Sequence, residues 1–152
     1  MTTEHPVDEH HWPATQVRRL CARVAEVAEG GLDLRARPDA AVVRRWLAAR
    51  LAFGVTTAAL GYTVLVADEL VTNAYEHTGA PRRLRYTRHR TGLLLEVTDA
   101  APHRTRTLAA IRDGVREYGT GLAVVTSSAL DWGVHHDAAE KTVWALLPGL
   151  SR

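Results

Sequence analysis

The chain has a single cysteine and no long apolar run. It contains one cysteine, Cys21, which cannot form an internal disulfide, so a reducing compartment suits it best. No apolar run reaches the roughly 18 residues that a membrane helix needs, and the polar N-terminus predicts neither a signal peptide nor a transit peptide. A length of 152 residues is enough for one domain with its own core. The sequence therefore predicts a single-domain cytoplasmic protein.

An excess of charge of one sign is also missing. Lysine and arginine number 19 against 17 aspartate and glutamate residues, which gives a net charge of +2. Nucleic-acid binding usually needs a concentrated basic face. Direct contact with nucleic acid or with a membrane is therefore not expected. Lys141 is the only lysine, and nearly all the basic charge is arginine.

Hydrophobic periodicity predicts alternating helices and strands. A first helix is predicted from Pro13 to about Ala28, ended by Gly30-Gly31, so that residues 1–30 form an extension ahead of a domain at 31–150. The further predicted elements are a strand at 32–37, helices at 38–51 and 56–77, strands at 83–88 and 93–99, a helix from Gly121 to Ala129, and strands at 132–135 and 142–147. The core face of the helix at 38–51 is assigned to Val42, Val43, Trp46 and Leu47. This order predicts an α+β fold, a two-layer sandwich with a mixed, mostly antiparallel sheet and helices on one face.

The helix at 56–77 carries the most informative polar residues. Between residues 58 and 71 it is apolar almost all the way round, which is typical of a buried helix. Glu69, Asn73 and His77 share one face because they are four residues apart. The opposite, core-facing side is assigned to Leu60, Val64, Ala67 and Val71. A buried carboxylate and amide need polar partners, and these are either an internal network or a ligand with its metal.

Two further features favour a ligand. Asp99 ends an apolar strand, a usual place for a ligand-facing group, and we expect it to lie at the strand end outside the core. Gly119 and Gly121 precede a predicted helix whose first amide groups and positive dipole end suit a phosphate. Two glycines one residue apart are by themselves a weak signal, because most such pairs only form turns.

These segments together resemble the Bergerat-fold (GHKL) ATP-binding proteins, the superfamily of gyrase, Hsp90, histidine kinases and MutL. DELVTNAYEH at 68–77 resembles the N box, in the form E-x-x-x-N-A-x-x-H of the RsbW-like serine-protein kinases that act as anti-sigma factors. EVTDAAP at 96–102 stands where the G1 box belongs, and YGTGLAVV at 118–125 resembles the G2 box. EKTVWALL at 140–147 resembles the closing strand. The four motifs occur in family order, and the resemblance covers about residues 31–150.

The resemblance implies a role for each matching residue. Glu69 corresponds to the general base, and Asn73 to the ligand of Mg²⁺, a cation that prefers oxygen ligands. Asp99 corresponds to the acceptor for the adenine amino group, with Thr142 in support. The remaining residues expected to contact the nucleotide are His77, Arg104, Gly119, Thr120, Gly121 and Leu122. Ala101 departs from the pattern, since most of the superfamily has glycine there.

The implied function is regulatory. ATP and Mg²⁺ are the expected cofactors of a serine/threonine-protein kinase that phosphorylates an anti-sigma antagonist and controls transcription by partner switching with a sigma factor. Self-association as a homodimer is compatible with this. The serious alternative is a non-catalytic interaction module that keeps the fold with little or no nucleotide turnover.

Two other classes of function fit less well. None of the eight histidines falls in an HExxH motif or beside cysteines at zinc spacing, which disfavours a histidine metal site. A helix-turn-helix around Gly54 is also disfavoured. The first half of its second helix lacks the arginine, asparagine and glutamine side chains that read base edges.

Overall fold

The computed structural model describes residues 26–52, 56–77, 80–89, 92–100 and 129–148. In these ranges five strands form one sheet, and each neighbouring pair is antiparallel. The elements are β1 (Glu26–Asp33), α1 (Ala40–Leu51), α2 (Thr57–His77), β2 (Pro81–His89), β3 (Gly92–Asp99), β4 (Asp131–His136) and β5 (Lys141–Pro148). The strand order is β1-β2-β3-β5-β4, with the two helices packed on one face. The α+β two-layer prediction is confirmed.

The N-terminal part of the sheet differs from the prediction. The prediction that a helix continues to Ala28 is wrong for residues 26–28, because the chain from Glu26 onward is already β1 and pairs with β2. Side chains alternate along this strand: Ala28 and Leu32 pack against the core, whereas Glu29 is exposed and bonded to Arg85. The sheet therefore begins before the boundary predicted at residue 31. Residues 13–25 of the predicted helix, with Cys21, lie outside the described residues.

The strand predicted to run to Arg37 also ends early, at Asp33. The Asp33 carboxylate accepts hydrogen bonds from the backbone N–H and the guanidinium of Arg35, which turns the chain away from the sheet. The Asp39 side chain then accepts a hydrogen bond from the Val42 amide and so caps α1. The helix places Val43, Leu47 and Leu51 in the core.

The predicted core face of α1 is partly wrong. Val42 is 38% exposed, and Trp46 is only partly buried, at the margin of the core, with its ring centre 5.7 Å from that of Tyr86. Leu51, one turn beyond Leu47, completes the buried stripe instead. The stripe therefore follows the spacing i, i+4, i+8 from Val43 and is narrower than the sequence suggests.

The helix α2 begins and ends nearly as predicted, but it is rotated about its axis. Thr56 accepts a hydrogen bond from the Ala59 amide at its start. The residues that it buries in the core are Val66, Ala67, Leu70, Val71 and Ala74. Leu60 and Val64, which were assigned to the core face, lie at its margin and are partly buried. An apolar stretch that runs nearly all round a helix does not specify which side faces the sheet.

The packing of the central strand β3 shows which residues lie on each face of the sheet. Every residue from Gly92 to Asp99 is buried. Leu93, Leu95 and Val97 belong to the main core under the helices, whereas Leu94 packs with Trp144 in a small separate cluster. Since successive strand residues point to opposite faces, Asp99 lies on the helix side and Thr98 on the other side.

Gly30 provides a stability test of the β1–β2 pairing. A Cβ atom added at Gly30 would lie 2.6 Å from Cε1 of Tyr86, whereas one at Gly31 would have no atom closer than 3.6 Å. Tyr86 is buried and cannot move aside without disturbing Trp46. We expect Gly30→Ala to lower the free energy of unfolding by about 1–3 kcal/mol, as overpacking typically does. Gly31→Ala is the matched control, and chemical denaturation of both variants measures the difference; equal stability would contradict the close packing.

Candidate functional site

The polar residues of the N-box segment border the core rather than filling it. Asn73 is 8% exposed and lies next to the buried stripe of α2, while Glu69, one turn earlier, is half-buried. The two residues lie on the same side of the helix, as their spacing predicts. Both residues therefore lie at the margin of the core, one turn apart on α2. The side chain of His77, the last residue of α2, lies outside the described part of the structure.

Neighbouring Asp68 faces another direction and has a different role. Its Oδ2 atom lies 3.6 Å from Nε of Arg44 on α1, so the pair links the two helices. Burial raises the pKa of the Asp68 carboxyl, and the Arg44 guanidinium opposes that rise. Within the described residues, no donor reaches the buried Oδ1 atom of Asp68. Asp68 therefore belongs to the packing of α1 on α2.

Tyr75 anchors the same segment to the loop before α1. Its hydroxyl donates a hydrogen bond of 2.9 Å to the carbonyl of Pro38. The guanidinium of Arg37 lies 5.5 Å from the centre of the Tyr75 ring and also donates to the Tyr75 carbonyl. Arg37 adopts a positive φ of 50°, an uncommon conformation for a non-glycine residue. These contacts hold the segment with Glu69 and Asn73 in a fixed position.

The electrostatic surroundings of Glu69 suit a proton acceptor. Burial is the largest cause that raises the pKa of its carboxyl, and the nearby Asp68 and Glu76 carboxylates raise it further. A carboxylate with a raised pKa is a stronger base when it is ionised. Its partial burial beside the core produces the first effect, and two carboxylates of the same helix produce the second.

Asp99 is more deeply placed than the sequence suggested. The expectation that it lies outside the core is wrong, because the residue is only 1% exposed. Its Oδ2 atom lies 3.5 Å from Nζ of Lys141, which is buried to the same degree. The antiparallel register sets Asp99 opposite Lys141, at the end of β3 and the start of β5. A buried carboxylate and a buried ammonium thus face each other on the helix side of the sheet.

Thr142 lies on the other side of the sheet. It is paired with Thr98 in the register, and the two hydroxyl oxygens are 2.8 Å apart in a hydrogen bond. Because neighbouring residues of a strand point to opposite faces, Thr142 does not share the side of Asp99. The residue of β5 that contacts Asp99 is therefore Lys141. Sequence reasoning did not single out Lys141, because strand alternation alone does not show which of two neighbouring residues lies on the side of Asp99.

The remaining predicted nucleotide contacts lie outside the described residues. They are Arg104, Gly119, Thr120, Gly121 and Leu122, which fall between residues 101 and 128, together with Ala101. The G2 segment and the connection before it therefore stay predictions. The predicted contacts that lie in the described ranges are Glu69 and Asn73 on α2, Asp99 at the end of β3, opposite Lys141, and Thr142 on the other face of β5.

Asn73 is the described residue whose chemistry fits a magnesium ion that is bound together with a nucleotide. No group of three His, Cys, Asp or Glu side chains in the described ranges could hold a metal ion. Asn73 supplies one amide oxygen, and Mg²⁺ usually takes only one or two protein ligands while phosphates and water complete its shell. The described helices include none long and apolar enough to cross a membrane.

The two-layer α+β fold agrees with the comparisons with known proteins. A family model described as the histidine kinase-like ATPase domain matches residues 34–147. The chain therefore belongs to the histidine kinase-like ATPase domain family, and membership implies nucleotide binding. No curated protein sequence matches the chain.

A similar solved structure is described as the crystal structure of the RsbU and RsbW domains of Rv1364c from Mycobacterium tuberculosis. The TM-score is 0.58 at 18% sequence identity, and the match covers 81% of this chain. It covers 33% of the solved chain, so this protein spans about a third of its length. At this identity the similarity shows a shared fold.

Proposed function

We propose that the protein binds ATP with Mg²⁺ and acts as a regulatory serine-protein kinase of the RsbW type. The single observation that carries this proposal is the placement of Glu69 and Asn73 one turn apart at the edge of the core, on an anchored segment. The buried Asp99 on the helix side of the sheet supports it. Nucleotide binding follows from the family assignment. The form of the N box is the reason to expect a protein substrate.

The proposed work of each residue follows from its chemistry. The Glu69 carboxylate accepts the proton of the attacking serine hydroxyl, and its raised pKa favours that step. An amide cannot accept a proton at neutral pH, so Asn73 is not the base. Its amide oxygen is assigned to the cation, which prefers oxygen ligands. Bound Mg²⁺ neutralises charge on the phosphates during transfer. Asp99 accepts a hydrogen bond from the base.

The proposed partners are a sigma factor and an anti-sigma antagonist, and the antagonist is the substrate. Support comes from the resemblance of residues 68–77 to the RsbW-like branch, and from the RsbW domain named for the solved structure of similar fold. Phosphorylation adds nearly two negative charges to a serine, which is enough to weaken an interface and release a partner. Control of transcription by partner switching follows from that change.

A non-catalytic interaction module remains the second candidate, and one observation favours it. The Asp99 carboxylate already faces the Lys141 ammonium, so a base amino group must share or displace that partner. Weak nucleotide binding would leave a folded domain whose surface binds regulators without turnover. Transfer of radiolabelled phosphate from ATP to a serine-bearing antagonist separates the two candidates.

Nucleotide binding itself predicts a gain in stability. A ligand that binds only the native state adds about 2.7 kcal/mol to the free energy of unfolding at about 100 times its dissociation constant. We therefore expect the melting temperature to rise with Mg-ATP and to rise less in Asn73→Ala. Thr72→Ala, an exposed neighbour on the same helix, is the matched control and should behave as the wild type does. A flat thermal-shift curve at millimolar Mg-ATP would contradict nucleotide binding.

A further inference from the structure

The first half of α2 is exposed where its composition predicts burial. Residues 57–67 contain no aspartate, glutamate, lysine or arginine, and a helix that is apolar all round is normally covered on every side. Tyr62 is nevertheless 59% exposed and Leu65 is 50% exposed, with Ala58 and Gly61 exposed beside them. Single exposed apolar residues are common, but a helix face that presents apolar residues and no charge is typical of an interaction surface.

An apolar stripe on α2 therefore runs into the proposed site. It is formed by Ala58, Gly61, Tyr62 and Leu65. Tyr62, Leu65 and Glu69 follow one another at spacings of three and four residues, which places them on one side of the helix. At a rise of about 1.5 Å per residue, Leu65 lies about 6 Å and Tyr62 about 10 Å from Glu69 along the helix axis. The stripe is thus continuous with the surface that carries the proposed base.

The direction of phosphate transfer decides which partner lies over the stripe. Asn73, to which the cation is assigned, is one turn beyond Glu69 toward the C-terminus of α2. The cation bridges the phosphates, and the attacking and leaving oxygens lie roughly in line across the transferred group. The nucleotide therefore occupies the side of Glu69 that carries Asn73, and the acceptor hydroxyl approaches from the side of Leu65 and Tyr62.

We propose that the apolar stripe binds the phosphoacceptor segment of the protein substrate and selects a serine flanked by apolar side chains. The inference rests on the proposed kinase function and deepens it by naming the class of substrate. In an extended segment, at about 3.3 Å per residue, side chains two and three positions from the serine reach Leu65 and Tyr62. A leucine there removes apolar surface from water on both partners, whereas a polar side chain loses its hydration without gaining a hydrogen bond.

The test compares two peptides that differ only in the residues beside one serine. One peptide carries leucine at the second and third positions on both sides of the serine, and the other carries glutamine at those positions. Fluorescence anisotropy measures their binding to the full chain with Mg²⁺ and a non-hydrolysable ATP analogue, so that binding is measured without turnover. The leucine peptide should bind about tenfold more tightly or better, which is the effect of burying one leucine side chain.

Variants of the protein connect this preference to the stripe. Leu65→Gln keeps a side chain with a helix propensity close to that of leucine and should remove most of the preference, and Tyr62→Gln is an independent second variant. Leu130→Gln is the matched control, because Leu130 precedes β4 and is 65% exposed, and it should leave the preference unchanged. The melting temperature and the Mg-ATP affinity should stay near those of the wild type in all three variants, since each replaced side chain is at least half exposed.

The outcomes separate the inference from the proposed function. Equal affinity of the wild type for the two peptides, including no binding of either, would overturn the inference, as would a preference that Leu65→Gln and Tyr62→Gln both leave intact. A wild-type dimer that Leu65→Gln dissociates in sedimentation would assign the stripe to a second copy of the chain and overturn it as well. Preferential binding of the leucine peptide with no radiolabel transfer from ATP to its serine would instead overturn the kinase function and leave the stripe as a binding surface for apolar segments.

Discussion

Replacement of Asp99 by alanine is expected to lower the free energy of unfolding by about 3–5 kcal/mol, the usual effect of removing one partner of a buried ion pair. The reason is Lys141, whose ammonium would stay 1% exposed with its carboxylate partner gone. The loss should also appear in Asp99→Asn, since an amide cannot balance the charge. Denaturant unfolding at neutral pH measures both variants.

A second substitution serves as the control for this prediction. Lys141→Met removes the charge while keeping an unbranched side chain of similar length, so Asp99→Ala combined with Lys141→Met should recover much of the lost stability. The four proteins form a thermodynamic cycle that isolates the coupling between the two residues. Additive losses in the double variant would show that the pair does not interact as the structure has it.

Phosphate transfer should fall by about 10²–10⁴-fold in Glu69→Ala, the usual contribution of a general base. Glu69 and Asn73 both border the core on one side of α2, but only the carboxylate can accept a proton at neutral pH. The affinity for Mg-ATP should change little, because the cation is assigned to Asn73. The measurement is the rate of radiolabel transfer to the antagonist, together with the affinity for ATP by calorimetry.

The Glu69→Gln variant tests whether a loss of transfer activity is caused by unfolding. Burial and the Asp68 and Glu76 carboxylates raise the pKa of Glu69 in the folded state, so the ionised group is destabilising above that pKa. The penalty is absent below the unfolded value of about 4.3 and complete once the pH exceeds the folded pKa. Glu69→Gln should therefore be slightly more stable than the wild type at neutral pH and nearly equal to it near pH 4. Full transfer activity in either variant would show that Glu69 is not the base.

The helices α1 and α2 and the strands β4 and β5 could be predicted closely from the sequence. Asp39 before an apolar pattern marks the start of α1, and the long apolar stretch marks α2 within one residue of its observed start at Thr57. The same spacing argument places Glu69 and Asn73 on one side of α2. These features depend on local periodicity and capping, which a sequence displays directly.

The errors arose where tertiary contacts decide the structure. Gly30-Gly31 indicated a helix end, yet Gly30 lies in β1 because it makes room for the Tyr86 ring. The rotation of α2 could not be predicted, since its apolar residues surround the helix. Likewise, no local pattern shows that Lys141 and not Thr142 lies on the side of Asp99. Which of the two is buried under the helices depends on which face of the sheet the helices cover.

The central claim is that Glu69, Asn73 and Asp99 border one Mg-ATP site. Calorimetric titration of the wild type and of Asn73→Ala, each with ATP in the presence of Mg²⁺ and in the presence of a chelator, tests it most directly. The account predicts saturable binding to the wild type that weakens on chelation, and weaker binding to Asn73→Ala that chelation scarcely changes. Absence of saturable binding at millimolar Mg-ATP, or an Asn73→Ala variant with the affinity and magnesium dependence of the wild type, would contradict it.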